Sequence, residues 1–379
     1  MKYSQIRDAI LMCRMAKVSL LIWGHRGMGK TALVKQVAKE NNWGYVQFRI
    51  AQIESTDLRG MPDKEGGRTR FLPPEELPRD GEGILFLDEI NRAAHDVLQA
   101  VFQLVEPEEH RIGTYILPPG WSVVAAANYE NGSYITSGFS DPAFLSRFCH
   151  VTMDSGEEGV EEWASWFASE FPEENDILSF ICGSPREMLD GKVDGSLDYN
   201  IQPSRRSWVM ATKIRRAGLY LGVDNETIQE ALCGVIGTEA AIAFMKYRCP
   251  VSPKDLINDG VEKHKNTILK LNRGQLLGLV WSLAGRIKEK AAKDEKMAEL
   301  GLSFVKLLLD NDKDRDIIAS FMKLMVTGEG LSKLAQNVSI SNPAVAAIIN
   351  GSGGNKFFSK LAANKELHSL CAKNIWGGK

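Results

Sequence analysis

The chain has 379 residues, 44% apolar and 25% charged, proportions ordinary for a soluble globular protein of two or three domains. A formal net charge of −2 argues against a constitutive nucleic-acid binder dominated by phosphate contacts, and no run approaches the ~20 apolar residues of a membrane helix. The six cysteines form no C-x-x-C pair and have no zinc spacing with histidine, so reduced thiols in a cytoplasmic protein are expected.

The first segment, "MKYSQIRDAILMCRMAKVSLLIW", is interrupted by Arg7, Asp8, Arg14 and Lys17, and predicts an amphipathic helix leading into a strand, not a signal peptide. Val18 to Trp23 has the bulky and β-branched residues of a buried strand. "GHRGMGKT" follows, and then a helical pattern runs from Lys30 to Asn41. This strand–loop–helix order carries G-x-x-x-x-G-K-T, the pattern of a phosphate-binding loop. Glycines let successive N–H groups face one anion, and the helix N-terminus adds partial positive charge. Lys30 is placed to reach the β- and γ-phosphates of a nucleotide, and Thr31 to put its hydroxyl on Mg²⁺.

Tyr45 to Ile50 predicts a second strand. Residues 52–82 read as a long polar loop rich in Gly, Pro and Arg, a length that in a compact domain marks a functional or a disordered segment. Ile84 to Leu87 is a short buried strand ending in Asp88 and Glu89. Strand ends at the carboxyl edge of an open α/β sheet are where ligands bind, so Asp88 suits the Mg²⁺ shell through a water and Glu89 suits activation of an attacking water. Residues 107–121 predict a hairpin, and Ser122 to Ala127 another central strand that carries Asn128 to the same edge. Pro142–Phe148 predicts a short helix bearing Arg147, ahead of a strand over Cys149–Met153.

After Asp154 the strand signals stop. Val160, Trp163, Trp166 and Phe167 mark an apolar helix face, and further helices are expected from about Asn175, over Arg205–Tyr220 and over Gly234–Tyr247. The basic cluster Arg205, Arg206, Lys213, Arg215 and Arg216 lies on one predicted helix and reads as a solvated face plus one functional arginine. Leu269–Ile287, Ser303–Leu309 and Ile317–Met325 continue the helical spacing, with Gly- and Asn-rich turns near Asn350–Asn355. The resulting division is an α/β domain over residues 1–154, a helical lid over 155–250 and a helical interaction or assembly region over 251–379.

These motifs resemble those of MoxR-type ATPases in the dynein-related branch of the AAA+ superfamily. Gly24–Thr31 looks like Walker A, Ile84–Glu89 like Walker B, and Asp88–Ala93 has the spelling "DEINRA" seen in that family. "DLRG" at Asp57–Gly60, "VVAAAN" ending at Asn128, "DPAFLSRF" around Arg147 and "PSRRSW" at Pro203–Trp208 resemble, in order, the segment before Walker B, sensor 1, the arginine-finger segment and sensor 2. The resemblance covers residues 1 to about 250. It implies a P-loop NTPase core with a five-stranded parallel sheet, a helical lid and an additional all-helical C-terminal region. It implies ATP contacts at Gly24, Gly27, Met28, Gly29, Lys30, Thr31 and Ala32, Mg²⁺ at Thr31 and Asp88, and catalytic roles for Glu89, Asn128, Arg147 and Arg206. Arg147 would serve a neighbouring subunit. Arg206 follows from Ser-x-Arg, but Arg205 stands where the family has proline, so either arginine, acting in cis or in trans, stays open. The implied activity is ATP hydrolysis by a homo-oligomeric ring, typically a hexamer, that remodels or activates a client protein. A von Willebrand factor A partner would be separate, since no Asp-x-Ser-x-Ser occurs here. The alternative is a DNA-remodelling or defence ATPase, which the acidic balance disfavours; a preference for GTP also stays open.

Overall fold

A computed structural model describes residues 1–107, 109–129, 139, 141–153, 156–191, 201–291, 293–311, 313, 315–325 and 356–374. The turn expected near Asn350–Asn355 lies outside them. The chain divides into two compact units, one containing Met1–Glu162 and Ser204–Ser207, the other containing Trp163–Gly191 and the chain from Trp208 onward.

The first unit is an α/β layer structure. Helix α1 (Tyr3–Ala16) leads into β1 (Ser19–Gly24), followed by α2 (Lys30–Glu40) and β2 (Gly44–Arg49). The sheet is completed by β5 (Gly83–Asp88), β8 (Trp121–Asn128) and β9 (Phe148–Thr152), in the order β2-β5-β8-β1-β9 with every pairing parallel. Alternate residues of the central strands feed opposite cores. Leu21, Leu85, Leu87, Val123 and Ala125 meet Val97, Leu98 and Val101 of α4 (His95–Phe102) on one face. Leu20, Ile22, Ile84, Phe86 and Val124 meet Ile6 and Ile10 of α1 and Val34 and Val37 of α2 on the other. Covering both faces explains why these strands read as continuous apolar runs and not as alternating ones.

Residues 52–82 are more ordered than a long loop. They hold α3 (Ser55–Arg59) and a hairpin of β3 (Met61–Glu65) and β4 (Arg68–Leu72). Gly66 and Gly67, with φ of 58° and 79°, form the two-residue turn, the geometry that favours glycine at both central positions. Gly60 has φ of 80°, and a Cβ there would lie 1.7 Å from the Leu72 carbonyl oxygen. The hairpin within 107–121 pairs β6 (Arg111–Ile112) with β7 (Tyr115–Ile116), and α5 (Pro142–Leu145) precedes β9.

The described residues of the second unit are helical or in turns. Two long helical patterns are each divided by a local stop. Gly237 (φ 81°) separates the helices Asn225–Ile236 and Thr238–Lys246. The pattern from Leu269 to Ile287 breaks at Leu271, because Asn272 and Gln275 exchange side-chain-to-backbone bonds of 3.2 and 2.8 Å that start a new helix, Arg273–Ala291. That helix packs closely on Asn175–Gly183, with Gly274 over the Cys182 carbonyl and Gly278 over Ser179. Trp208, fully buried, packs against Phe180 and Phe244 and donates to the Met188 carbonyl at 2.7 Å. The basic cluster is not one solvated face. Arg205 is buried, and Arg215 bonds Glu174 and Asp176 at 2.7 and 2.5 Å. No helix among the described residues is long and apolar enough to cross a membrane.

Candidate nucleotide site

The carboxyl ends of β1, β5 and β8 lie on one edge of the sheet, and the turn after β1 supplies the loop. Gly27 and Gly29 have φ of 78° and 97°. At Gly27 the space is also closed, since a Cβ would meet that of Ser204 at 2.7 Å. Gly29 is the N-cap of α2 and offers no side chain to the helix's first N–H groups, which leaves them available to an anion.

Lys30 is buried to 7% exposure. Its Nζ donates to the carbonyls of Gly24 (2.7 Å) and His25 (3.0 Å) and to Asn128 Oδ1 (2.7 Å). Thr31 Oγ1 donates to Asp88 Oδ2 at 2.9 Å, and Gln47 Nε2 donates to the same oxygen at 3.1 Å. The Tyr45 hydroxyl in turn donates to Gln47 Oε1 at 3.2 Å. Burial, and then the nearby Asp88 charge, push the Tyr45 hydroxyl well above its usual range, so it stays a donor. One hydroxyl and one carboxylate, with the rest of the shell left to water and phosphate, is a donor set that fits Mg²⁺.

Glu89 follows directly, in the left-handed region at φ 55° and ψ 37°. A non-glycine residue held there indicates a conformation imposed by its surroundings. Its backbone N–H donates to Asp88 Oδ1 at 3.0 Å, and its carboxylate lies 3.7 Å from Arg92. Asn91, fully buried, donates from Nδ2 to the Asn128 carbonyl and accepts the Asn128 N–H, both at 3.2 Å.

The structure therefore brings together the loop, Lys30, Thr31, Asp88, Glu89 and Asn128. Met28 is buried beside them, and its carbonyl accepts from the Tyr3 hydroxyl at 2.5 Å; Ala32 lies in the first turn of α2. Arg147 is not brought into this group. β9 starts opposite Ser19 and β1 ends at Gly24, so Arg147, just before β9, sits at the other edge of the sheet, six residue steps or ~20 Å away at ~3.3 Å per residue. There it pairs with Glu106 at 2.5 Å, donates to the Ala143 carbonyl and stacks on Phe102 at 4.1 Å. The two candidate sensor arginines have different surroundings. Arg205 is 1% exposed and donates to the Tyr3 hydroxyl (2.8 Å) and the Gly159 carbonyl (3.0 Å). Arg206 is exposed, and its backbone N–H donates to the Gly27 carbonyl at 3.3 Å.

Sequence reasoning missed Gln47 and Asn91. A polar residue in an apolar strand, in "GYVQFR", was the available signal for Gln47. Asn91 is spelled within "DEINRA", but its partner lies 37 positions away.

Sheet order, loop and acidic strand end together define a P-loop NTPase core of the AAA+ kind. Comparison with known proteins agrees with that fold: residues 19–148 match the AAA domain of the dynein-related subfamily. Over 153 residues the chain is 29% identical to BssE of Thauera aromatica, a proposed chaperone, a match covering 38% of this chain and 53% of BssE. It is 29% identical over 163 residues to Midasin of Giardia intestinalis, covering 39% of this chain and 3% of Midasin. The chain thus spans about half of one curated relative and a small part of the other. Among solved structures, NtrX of Brucella abortus in complex with ATP is similar at TM-score 0.39 and 13% identity, covering 76% of this chain and 63% of that one.

Proposed function

We propose that this protein is a Mg²⁺-dependent ATPase of the MoxR type that assembles into a ring, of six subunits by analogy, and uses hydrolysis to remodel or activate a client protein. The observation that supports it is the gathering of Lys30, Thr31, Asp88, Glu89 and Asn128 at one sheet edge beside a helix N-terminus without a side-chain cap. Lys30 and the loop N–H groups of Gly24 to Ala32 hold the phosphates. Thr31 and Asp88 would hold Mg²⁺, which when bound would supply charge neutralisation to the phosphates. Glu89 takes the proton of the attacking water, and Asn128 orients that water or the γ-phosphate. Arg147 acts on a neighbour's nucleotide, consistent with its place at the far edge of its own sheet. Arg206 acts as sensor 2.

In this reading residues 1–154 are the nucleotide-binding domain, 155–250 the lid and 251–379 the module for assembly or client contact. A separate von Willebrand factor A protein is the proposed adaptor and the cytoplasm the proposed location. The likeness to BssE supports the client-remodelling branch. The test separates binding from turnover. Glu89→Gln is expected to retain ATP affinity within a fewfold and to lose most hydrolysis, whereas Lys30→Ala loses binding itself. Nucleotide titration and phosphate release on both variants measure this; normal hydrolysis by Glu89→Gln would remove the assigned base.

A further inference from the structure

The ladder between β5 and β8 ends at the pair Leu87 and Ala125, three residues short of Asn128. Beyond that point β5 has turned away through Glu89 into the short 3₁₀ helix Ile90–Arg92. The backbone of Asn128 is buried, so its N–H and carbonyl need partners other than water. Asn91 supplies both. Its carboxamide donates to the Asn128 carbonyl and accepts the Asn128 N–H, standing in for the missing peptide of a neighbouring strand. The chain of contacts then passes through the Asn128 side chain, whose Oδ1 accepts from Lys30 at 2.7 Å.

From this geometry we infer that Asn91 is a positioning residue for hydrolysis: it clamps the Asn128 backbone and thereby sets where the Asn128 carboxamide stands against the nucleotide. The inference rests on the ATPase reading above. Asparagine suits the role because one planar amide carries a donor and an acceptor side by side. Aspartate keeps the acceptor and loses the donor. Alanine loses both and leaves two buried backbone groups unsatisfied. Misplacing a catalytic group by about 1 Å can cost roughly 10²-fold in rate, so the expected signature lies in kcat and not in nucleotide affinity.

The experiment compares wild type, Asn91→Ala, Asn91→Asp, Asn128→Ala and the double variant Asn91→Ala/Asn128→Ala, using Mg·ATP in steady-state turnover and equilibrium titration. The expected result is a kcat lowered at least tenfold in Asn91→Ala and Asn91→Asp, with ATP affinity changed less than threefold. The double variant should turn over within about twofold of Asn128→Ala, because a residue acting only through Asn128 has nothing left to position. Amide hydrogen exchange on the wild-type protein tests the clamp with no substitution at all, and slow exchange at the Asn128 N–H is expected. Rapid exchange there, wild-type kcat in Asn91→Asp, or losses that multiply in the double variant would each overturn the inference. An inactive wild type would overturn the ATPase reading along with it, whereas an active wild type with an indifferent Asn91→Asp overturns the inference alone.

Discussion

Two adjacent arginines show how position in a helix separates chemistry from support. Arg205 is enclosed and hydrogen-bonded to Tyr3 and to the Gly159 carbonyl, while Arg206 faces outward from the same turn. Removing Arg205 takes a charged donor from the half-buried Tyr3 hydroxyl, which keeps its bond to the Met28 carbonyl, and another from the buried Gly159 carbonyl, at a cost of roughly 1–3 kcal/mol in all. Arg205→Ala is therefore expected to lower the melting temperature, and Arg206→Ala to leave it within a degree or so while reducing turnover. Thermal melts beside ATPase assays check this, and the reverse pattern would transfer the sensor role to Arg205. Thiol chemistry gives a second residue-level prediction. Burial, reinforced by the neighbouring Cys149, pushes the Cys13 thiol up to about 12, and burial does the same for Cys371. The thiolate is the nucleophile, so at pH 8 only roughly one molecule in 10⁴ is reactive at either position. Iodoacetamide at that pH is expected to label the exposed Cys149 and to spare Cys13 and Cys371 until denaturant is added, as read by peptide mass spectrometry.

At the level of elements, glycines in the helical unit divide into those that permit packing and those that do not. A Cβ at Gly274 would fall 1.6 Å from the Cys182 carbonyl oxygen, so the helix Arg273–Ala291 would have to move away from Asn175–Gly183. Gly234, inside the helix Asn225–Ile236, meets nothing within 4 Å. Gly274→Ala is expected to destabilise by about 1–3 kcal/mol or more through overpacking. Gly234→Ala is expected to stabilise by about 0.4–1 kcal/mol, because alanine loses less chain entropy in a helix. Urea denaturation of the two variants should give midpoints shifted in opposite directions. Equal shifts would mean that the close approach at Gly274 is relieved cheaply by backbone adjustment.

The whole-molecule question is whether one subunit completes another's site. Within a single chain Arg147 and the phosphate loop occupy opposite edges of one rigid sheet, a separation that side-chain rotation does not close. An Arg147→Ala subunit retains its own loop and acidic strand end, so it is expected to bind ATP and to lose turnover by as much as the roughly 10³–10⁵ of an arginine finger. A Lys30→Ala subunit has no working loop but still has Arg147. Mixing the two should recover part of the activity, above the sum of either alone, wherever the second donates to the first. Native mass spectrometry establishes that mixed assemblies exist. Absence of recovery in them would leave Arg147 as the partner of Glu106 and nothing more.

The amino-acid sequence by itself determined the parallel sheet and which residues gather at its candidate nucleotide edge, because those features are local. Apolar runs mark strands buried on both faces, and Gly27, Gly29 and Lys30 fall within a few residues of one another, as do Asp88 and Glu89. The hairpin in residues 52–82 is not legible in the sequence beyond its Gly-Gly turn, because polar strands that cover no core carry little apolar signal. Only the tertiary structure decided the pairings between distant segments: Asn91 with Asn128, Gln47 with Asp88, and Arg147 with Glu106. It also decided which of Arg205 and Arg206 is enclosed. Each depends on where strand ladders stop and which backbone groups are left without a partner, and that is settled when the strands align, not by the spacing of residues along the chain.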